Sequence, residues 1–440
     1  MSAPTLRIGI VKIGKNTQFE LCLAQLRLML DLADTTELTD LTALETGAEF
    51  DLVVALGVCG STPLSAVLAR RRIPCLAMEA YLGFHPYHAA FYRAVEAGNG
   101  IVLPANDPEE IADSLAAVRA RKGLQGTRLL VVDTHDEDFR AEEIATFARG
   151  CRETLGVEII RRPVSELQER AKGVSDEDAD AELARWYREI LDGPSEMDDA
   201  HMRQVARLFI IERAMLEETG ATGITVEDIG GFLLQPERHI MPNVTYGPLV
   251  FAGFLAAEEG DIEVLTTELL LRAGLDAHPT MSNLYLGFRD QFDTIAEMKK
   301  YTPEMQLEDY RQCVADNHFT ASHFRAFGVL PPNMMTEDRY RVREAWTGQS
   351  MVVATPRLGP VMLARLTTDA HGLHLVPGEA DALKIGDEYN WHRCRWFIQV
   401  PDMRDFINRC QHQHYVIGPK NDRERVLRVL TEKLLGLTIV

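Results

Sequence analysis

The chain has 440 residues, of which 46% are hydrophobic, and its formal net charge at pH 7 is −20. This length exceeds that of a single hydrophobic core, so we expect two or three domains. Acidic residues are spread along the whole chain. Nucleic acid and anionic membranes are therefore excluded as expected partners, because both bind basic surfaces.

The sequence carries no pattern typical of secretion or membrane insertion. Polar and charged side chains interrupt every apolar run within residues 1–30, unlike a signal peptide. No apolar run reaches the roughly 20 residues that cross a bilayer. The seven cysteines are odd in number and form no Cys-x-x-Cys pair. We therefore expect a cytoplasmic protein with reduced thiols and no cysteine-based zinc site.

The first third of the chain alternates apolar runs with helical patterns. Residues 6–13 and 51–57 are predicted strands, and a predicted helix follows each of them. This alternation is typical of a parallel sheet with helices on both faces. A glycine-containing stretch at 122–126 predicts a domain boundary there.

A second alternating set begins near residue 127. TRLLVVDTH is a predicted strand, a helix follows, and VEIIRR is the next strand. The acidic stretch 174–200 predicts a solvated helix and linker. The following segment has apolar residues at helical spacing and ends at Gly220, a predicted C-cap.

After about residue 315, short β segments broken by Gly and Pro replace the long helices. These segments predict a small antiparallel sheet or barrel. The predicted fold class is therefore α/β: two Rossmann-like parallel-sheet α/β domains, then a small antiparallel β-rich, barrel-like C-terminal domain. The predicted boundaries are 1–125, 126–315 and 316–440.

Three residues stand out as candidate ligands, although each has a structural explanation when taken alone. Glu237 follows a proline and could be a surface carboxylate in a turn. Asp261 precedes an apolar helix and could cap it. His414 lies in a predicted strand and could be a hydrogen-bonded core histidine. The residue types alone do not select these three from the other acidic residues and histidines.

Their order and surroundings form a recognisable pattern. A Gln-Pro-Glu segment ends at Glu237, an acidic Glu-Gly-Asp segment ends at Asp261 24 residues later, and a helix follows. His414 opens a closing strand-helix-strand unit. This pattern resembles the L-fucose isomerase / L-arabinose isomerase superfamily. The resemblance covers most of the chain and implies that Glu237, Asp261 and His414 bind a metal.

Two departures from the family pattern concern the substrate more than the metal. Where the family has a cysteine before the glutamate, this chain has Glu258. Where the family has an asparagine before the C-terminal histidine, this chain has Gln413. Both positions are expected close to the site. The resemblance therefore leaves the identity of the sugar open.

The resemblance implies an aldose–ketose isomerase that acts on a sugar or acidic sugar derivative through a cis-enediol or enediolate intermediate. Two carboxylates and an imidazole suit Mn²⁺, with Mg²⁺, Co²⁺ and Zn²⁺ as alternatives. The carboxylates of Glu237 and Asp261 would be the catalytic bases. Family members are trimers or hexamers, so we expect a homo-oligomer.

Further residues are candidates for binding the substrate, and each also has a purely structural explanation. Aromatic faces would stack on a sugar ring, and arginines would favour an acidic group on it. These candidates are Glu259, Gln413, His318, Trp391, Trp396, Arg393 and Lys15.

Two alternative functions remain open from the sequence. A metal-dependent epimerase or lyase acting on a related sugar acid would use the same intermediate and differ in its product. A non-catalytic sugar-binding or regulatory protein would keep the scaffold without the chemistry. Bound metal would separate the enzymes from the binding protein.

Overall fold

We describe the protein from a computed structural model. The described residues are 4–12, 24, 35–38, 42–46, 49–57, 63–78, 86–105, 107–134, 141–191, 195, 197–227, 244–277, 279–285, 313–316, 341–344, 350–353, 359–382, 396–410 and 412–440. The chain is of mixed α/β class and forms two compact units. The first unit comprises Met1–Gln125, Ala273–Leu275 and Asp422–Thr438, and the second comprises Gly126–Arg272, Asp276–Asn421 and Ile439–Val440.

The first unit contains a four-stranded sheet in which each neighbouring pair is parallel, in the order β2-β1-β3-β4. The strands are β1 (Ile8–Lys12), β2 (Thr35–Leu38), β3 (Leu52–Leu56) and β4 (Cys75–Met78). The helices described before residue 126 are α1 (Thr42–Glu45), α2 (Pro63–Arg71), α3 (Pro86–Ala97) and α4 (Pro108–Leu124).

Local sequence explains why these elements form. β3 reads LVVAL and all five of its residues are buried, as expected of a central strand in a parallel sheet. α4 begins after Asp107, whose side chain accepts a hydrogen bond from the backbone N–H of Glu110. Pro108 follows at the first helical position, where its missing N–H costs nothing.

The second unit contains another four-stranded parallel sheet, in the order β6-β5-β7-β8. Its strands are β5 (Arg128–Asp133), β6 (Glu158–Pro163), β7 (Gly223–Val226) and β8 (Leu255–Ala257). In this sheet β6 and β7 lie on opposite sides of β5, so the strand order reverses between β5 and β7. In the first sheet the strand order reverses in the same way between β1 and β3. Sheets of this kind bind ligands beyond the carboxyl ends of the strands at such a point.

The helices described in the second parallel-sheet region are α5 (Ala141–Gly150), α6 (Val164–Lys172), α7 (Asp176–Glu189), α8 (Asp199–Thr219), α9 (Tyr246–Phe251) and α10 (Ile262–Leu275). α5 continues as a π-helical turn, Cys151–Leu155. α8 ends at Gly220, which has φ 64°, so the predicted C-cap is confirmed.

The remaining strands are β9 (Thr280–Tyr285), β10 (Cys313–Asp316), β11 (Arg341–Glu344), β12 (Ser350–Val353), β13 (Gly359–Leu366), β14 (Gly372–Ala382), β15 (Trp396–Gln399), β16 (His414–Pro419) and β17 (Thr438–Ile439). α11 (Met403–Arg409) precedes β16. α12 (Glu424–Arg428) and its π-helical continuation Val429–Leu435 belong to the first unit.

Six of these strands close into a ring. The order is β13-β16-β9-β10-β15-β14, and β14 pairs back with β13. Each of these six pairings is antiparallel. One hydrophobic core joins this barrel to the helices of the second unit, since Leu363, Tyr415 and Ile417 belong to the same buried cluster as Trp186 and Phe209.

The predicted boundary at 125/126 coincides with a division between the two units. At the second boundary, β9 comes from the predicted middle domain yet pairs with β16, so the barrel draws strands from both sides of 315/316. The complete three-domain arrangement stays a prediction. Within the described part of the chain, no helix combines the length and the apolarity that crossing a membrane requires.

Candidate metal centre

The candidate site is built on the loop that joins β8 to α10. Glu259 has φ 59° and Gly260 has φ 64°, so two consecutive residues take the left-handed conformation. The N–H of Gly260 donates to the carbonyl of Val226 at the end of β7. A Cβ on Gly260 would lie 3.3 Å from the Cβ of Glu227. This turn places the loop against the carboxyl end of β7.

Asp261 uses its two carboxylate oxygens for different purposes. Oδ1 accepts a hydrogen bond from the N–H of Val264, 3.0 Å away, and so caps α10. Oδ2 is 2.9 Å from Arg365 Nη1 and 2.8 Å from His414 Nδ1. The side chain is 2% exposed, so this carboxylate depends on those partners for the hydrogen bonds that water would supply.

Arg365 is a buried cation on β13. Its Nη1 donates both to Asp261 Oδ2 and to the backbone carbonyl of His414, the latter over 3.0 Å. Its Nη2 lies 3.8 Å from Glu263 Oε2. One guanidinium therefore ties the start of α10 to the start of β16.

His414 is the first residue of β16, and its ring is held between two carboxylates. Nδ1 faces Asp261 Oδ2, and Nε2 lies 3.2 Å from Glu259 Oε2. The side-chain amide of Gln413 lies 3.2 Å from the same Nε2. Tethering one ring nitrogen to a carboxylate is the usual way in which proteins orient a metal-binding histidine.

These contacts change the proton affinities of the site. Burial raises the pKa of Asp261, but Arg365 and His414 outweigh burial and hold that pKa well below its usual range. Burial disfavours the charged ring of His414, yet its bonds to Asp261 and Glu259 raise its pKa to about 9. Without a metal, both shifts favour an ionised Asp261 and a protonated His414.

Asp261, His412 and His414 form a cluster that could hold a metal ion. Each offers one ligand atom, and these atoms all lie within 4.8 Å of one another. Asp261 and His414 are buried, whereas His412 is exposed, with its Nδ1 3.8 Å from Asp261 Oδ2. The donor set of imidazole nitrogen and carboxylate oxygen fits a divalent first-row cation.

The distance between His414 Nε2 and Glu259 Oε2 provides a second test of fit. Two ligand atoms that each lie about 2.1 Å from one ion at a near-right angle are roughly 3 Å apart. The observed separation of 3.2 Å agrees with this requirement. Glu259 and His414 Nε2 therefore form a second candidate ligand pair, on the side of the ring opposite Asp261, which orients the ring from Nδ1.

Acidic groups outnumber cations around the cluster within the described residues. Glu258, Glu263 and Glu268 are buried close by in sequence, while Arg365 is the buried permanent cation among them. Burial and then the charge of Asp261 raise the pKa of Glu268 well above its usual value. A surplus of buried carboxylates is an environment that a divalent cation would neutralise.

The structure brings Asp261, His414, Gln413 and Glu259 close together, and their roles as metal or substrate ligands stay a prediction. Five predicted site residues lie outside the described residues: Lys15, Glu237, His318, Trp391 and Arg393. Trp396 begins β15, where it pairs with Ala382, and its side chain is not described. The metal triad is therefore described at two of its three positions.

Sequence reasoning missed Arg365 and His412. Arg365 carried one signal, since it is a lone charge inside the apolar run VMLARL of β13. His412 is two residues from His414, and its Nδ1 accepts the N–H of His414 over 3.1 Å. Neither contact with Asp261 follows from spacing, because each joins segments more than a hundred residues apart in the chain.

Comparison with known proteins adds no family assignment. No protein-family model matches the chain, and no curated protein matches it significantly. The resemblance to the sugar isomerases remains an expectation that rests on the motifs alone.

Proposed function

We propose that the protein is a metal-dependent aldose–ketose isomerase that acts on a sugar or acidic sugar derivative. The observation that carries the proposal is the buried Asp261–His414 pair, 2.8 Å apart, with Glu259 on the far side of the ring. A sugar-binding protein does not require this arrangement, because direct hydrogen bonds can hold sugar hydroxyl groups.

We propose that His414 Nε2 and the carboxylate of Glu259 hold the ion, with Glu237 as the further ligand that the resemblance implies. Asp261, which the resemblance also implies as a ligand, is proposed to hold the ring of His414 from Nδ1. Mn²⁺ is the proposed metal, since the donors are mainly oxygen. When bound, it would supply Lewis acidity to a carbonyl and an adjacent hydroxyl of the sugar.

The residues of the chain divide the remaining tasks. Asp261 Oδ2 is already engaged by Arg365 and by His414 Nδ1, so its proposed role is to orient the ring of His414. Proton transfer between neighbouring carbons then falls to Glu237. Arg365 keeps Asp261 ionised, and Gln413 is proposed to contact the sugar from beside His414.

Metal binding provides the first test. We would titrate EDTA-stripped protein with Mn²⁺ and compare Glu259→Gln with Glu379→Gln, which removes an exposed carboxylate of β14. Glu259→Gln should weaken Mn²⁺ binding about tenfold or more, because it removes a ligand without disturbing the Arg365–Asp261 pair. Glu379→Gln should match the parent. Absence of Mn²⁺ binding by the parent would refute the metal site.

Catalysis provides the second test. A panel of aldoses, ketoses and acidic sugars would be followed by NMR in D₂O, with Mn²⁺ or with EDTA. Deuterium entering beside the carbonyl only with Mn²⁺, together with a ketose–aldose change, would support the isomerase. Exchange with inverted configuration or a cleaved product would favour the epimerase or lyase instead. Glu237→Gln should abolish exchange while leaving a folded protein.

A further inference from the structure

The first unit contains a cavity of about 320 Å³ at the amino-terminal edge of its parallel sheet. Its walls come from the residues just before β1, β3 and β4, and from the ends of α2 and α4. We call it the basic cavity, because its charged lining residues are Arg7, Arg71, Arg72, Arg121 and Lys122 with Glu49 and Asp51.

Five cationic side chains and two carboxylates line the basic cavity, in a chain whose net charge is −20. Each carboxylate has a cationic partner within the lining. Arg7 pairs with Glu49 at 3.0 Å, and Lys122 pairs with Asp51 at 2.6 Å. Three arginines remain beyond these pairs, which gives the cavity a local excess of positive charge.

Helix ends account for two of the three arginines, since Arg71 and Arg121 lie in the last turns of α2 and α4. Cations favour the last turn of a helix, where backbone carbonyls lack partners. Arg71 acts in this way, because its Nη1 donates to the carbonyl of Leu44 over 3.1 Å. In the part of the chain that the structure describes, Arg72 and Arg121 have no carboxylate within ion-pair distance. Burial and then the charge of Arg72 lower the pKa of Arg121, so the two guanidinium groups repel each other.

The backbone at Arg72 adds an independent observation. Arg72 follows the last residue of α2 with φ 51°, the left-handed conformation that favours glycine. An L-residue in that conformation is strained relative to glycine. Glycine would fit this position better, so the arginine side chain does not serve the stability of the turn.

We propose that the basic cavity binds a small anion that carries one or two phosphate groups. Guanidinium groups match phosphate oxygens with paired, charge-assisted hydrogen bonds. The volume falls at the lower end of small-molecule sites, and Phe50, Ile73 and Pro74 provide an apolar wall. The cavity lies at the sheet edge opposite the carboxyl ends of the strands, so it is separate from the crevice where such sheets bind substrates.

The test is calorimetric titration of the full chain with pyrophosphate. EDTA would be present to remove any contribution from bound metal, and the ionic strength would be low, about 0.05 M. The parent should bind pyrophosphate, and both Arg72→Gly and Arg121→Gln should weaken binding about tenfold or more. Arg72→Gly is the sharper variant, because it removes the charge and relieves the backbone, so its thermal stability should equal or exceed that of the parent.

Arg70→Gln is the matched control. Arg70 is an exposed arginine of the same helix that pairs with Glu45 and does not line the cavity. Its removal should change the affinity less than about twofold. Equal affinities in all four proteins would overturn the proposal, as would absence of binding by the parent. Loss of all binding at about 0.15 M salt would also overturn it, because that behaviour indicates only counter-ion attraction.

Discussion

At the scale of single residues, Asp261 shows that a structural role and a functional role need not compete. The sequence allowed it to be either a helix cap or a metal ligand. Its Oδ1 caps α10, while its Oδ2 faces His414 and Arg365. One carboxylate therefore fixes the start of the helix and orients the imidazole.

Replacing Arg365 should be costly. Arg365→Met leaves Asp261 buried without its permanent cation and the carbonyl of His414 without its donor. We expect the free energy of unfolding to fall by about 3–5 kcal/mol, the usual effect of breaking a buried ion pair. Urea unfolding of metal-free protein would measure it.

Arg213→Met provides the comparison, because Arg213 pairs with Glu217 at 2.8 Å and both side chains are about half exposed. Its loss should cost less than about 1 kcal/mol. Equal losses in the free energy of unfolding would show that the buried Arg365–Asp261 pair contributes no more to stability than an exposed ion pair.

A buried carboxyl far from the candidate ligands in sequence gives a prediction about pH. Burial raises the pKa of Glu212 on α8 to about 8, despite the lowering effect of Thr245. The folded state therefore holds a proton that the unfolded state releases near its ordinary pKa of 4.5. This contribution is complete below pH 4.5 and is lost as the pH rises through about 8.

Glu212→Gln should remove that dependence, because the amide cannot ionise. We expect it to stabilise the protein by about 1–3 kcal/mol at pH 8.5 and to have a smaller effect at pH 6. Urea midpoints at the two pH values would measure the difference. Glu217→Gln, on the same helix but exposed, should leave both midpoints unchanged. If the urea midpoints of Glu212→Gln and the parent differ by the same amount at both pH values, the raised pKa of Glu212 is contradicted.

How much of the site the sequence predicts depends on where its contacts are encoded. Asp261 and His414 follow from motif order, because each belongs to a short local pattern. Arg365 contacts Asp261 and the backbone of His414 because β13 pairs with β16. This pairing places Ala364, the residue before Arg365, opposite Val416. That pairing depends on packing across the chain. A linear pattern therefore predicts the candidate ligands but not the buried arginine that contacts one of them.

At the scale of elements, apolar periodicity predicted most of the described strands and helices. β1, β3 and β5 fall within the predicted runs, and β6, α8 and β16 overlap them to within two residues at each end. Each signal is local, since a buried parallel strand reads as a continuous apolar run. Strand order is not local. The sequence gives no direct sign that β9 lies between β16 and β10 in the closed ring.

Gly150 is a test of how α5 packs on the barrel. A Cβ at this position would collide with the carbonyl of Asp369, in the turn between β13 and β14. Gly150→Ala should therefore destabilise the protein by about 1–3 kcal/mol through overpacking. The loss would be measured as a lower urea midpoint.

Gly123→Ala is the matched change. Gly123 lies inside α4, and a Cβ there would have no neighbour within 4 Å. Because alanine favours the helix over glycine, this variant should gain about 0.5–1 kcal/mol. A Gly150→Ala variant that gained stability in the same way would show that α5 and the turn are not in close contact.

At the scale of the whole molecule, the resemblance to the isomerases predicts assembly. Light scattering should give three or six times the chain mass of 49.3 kDa at neutral pH. The net charge of −20 opposes association between like chains at low salt, so the assembly should be more stable at higher ionic strength. A monomer mass at all concentrations would contradict the expectation.

The closed ring of strands also determines at which stage of protein synthesis the candidate metal site can form. β9 and β13 emerge from the ribosome well before β16, the strand that fills the gap between them. Asp261 likewise cannot contact His414 until that residue, 153 positions later in the chain, has been synthesised. A nascent chain that ends before His414 exposes two unpaired strand edges and a buried-type carboxylate without its imidazole. Premature termination should therefore yield a chain that depends on chaperones, even though both parallel sheets are already encoded.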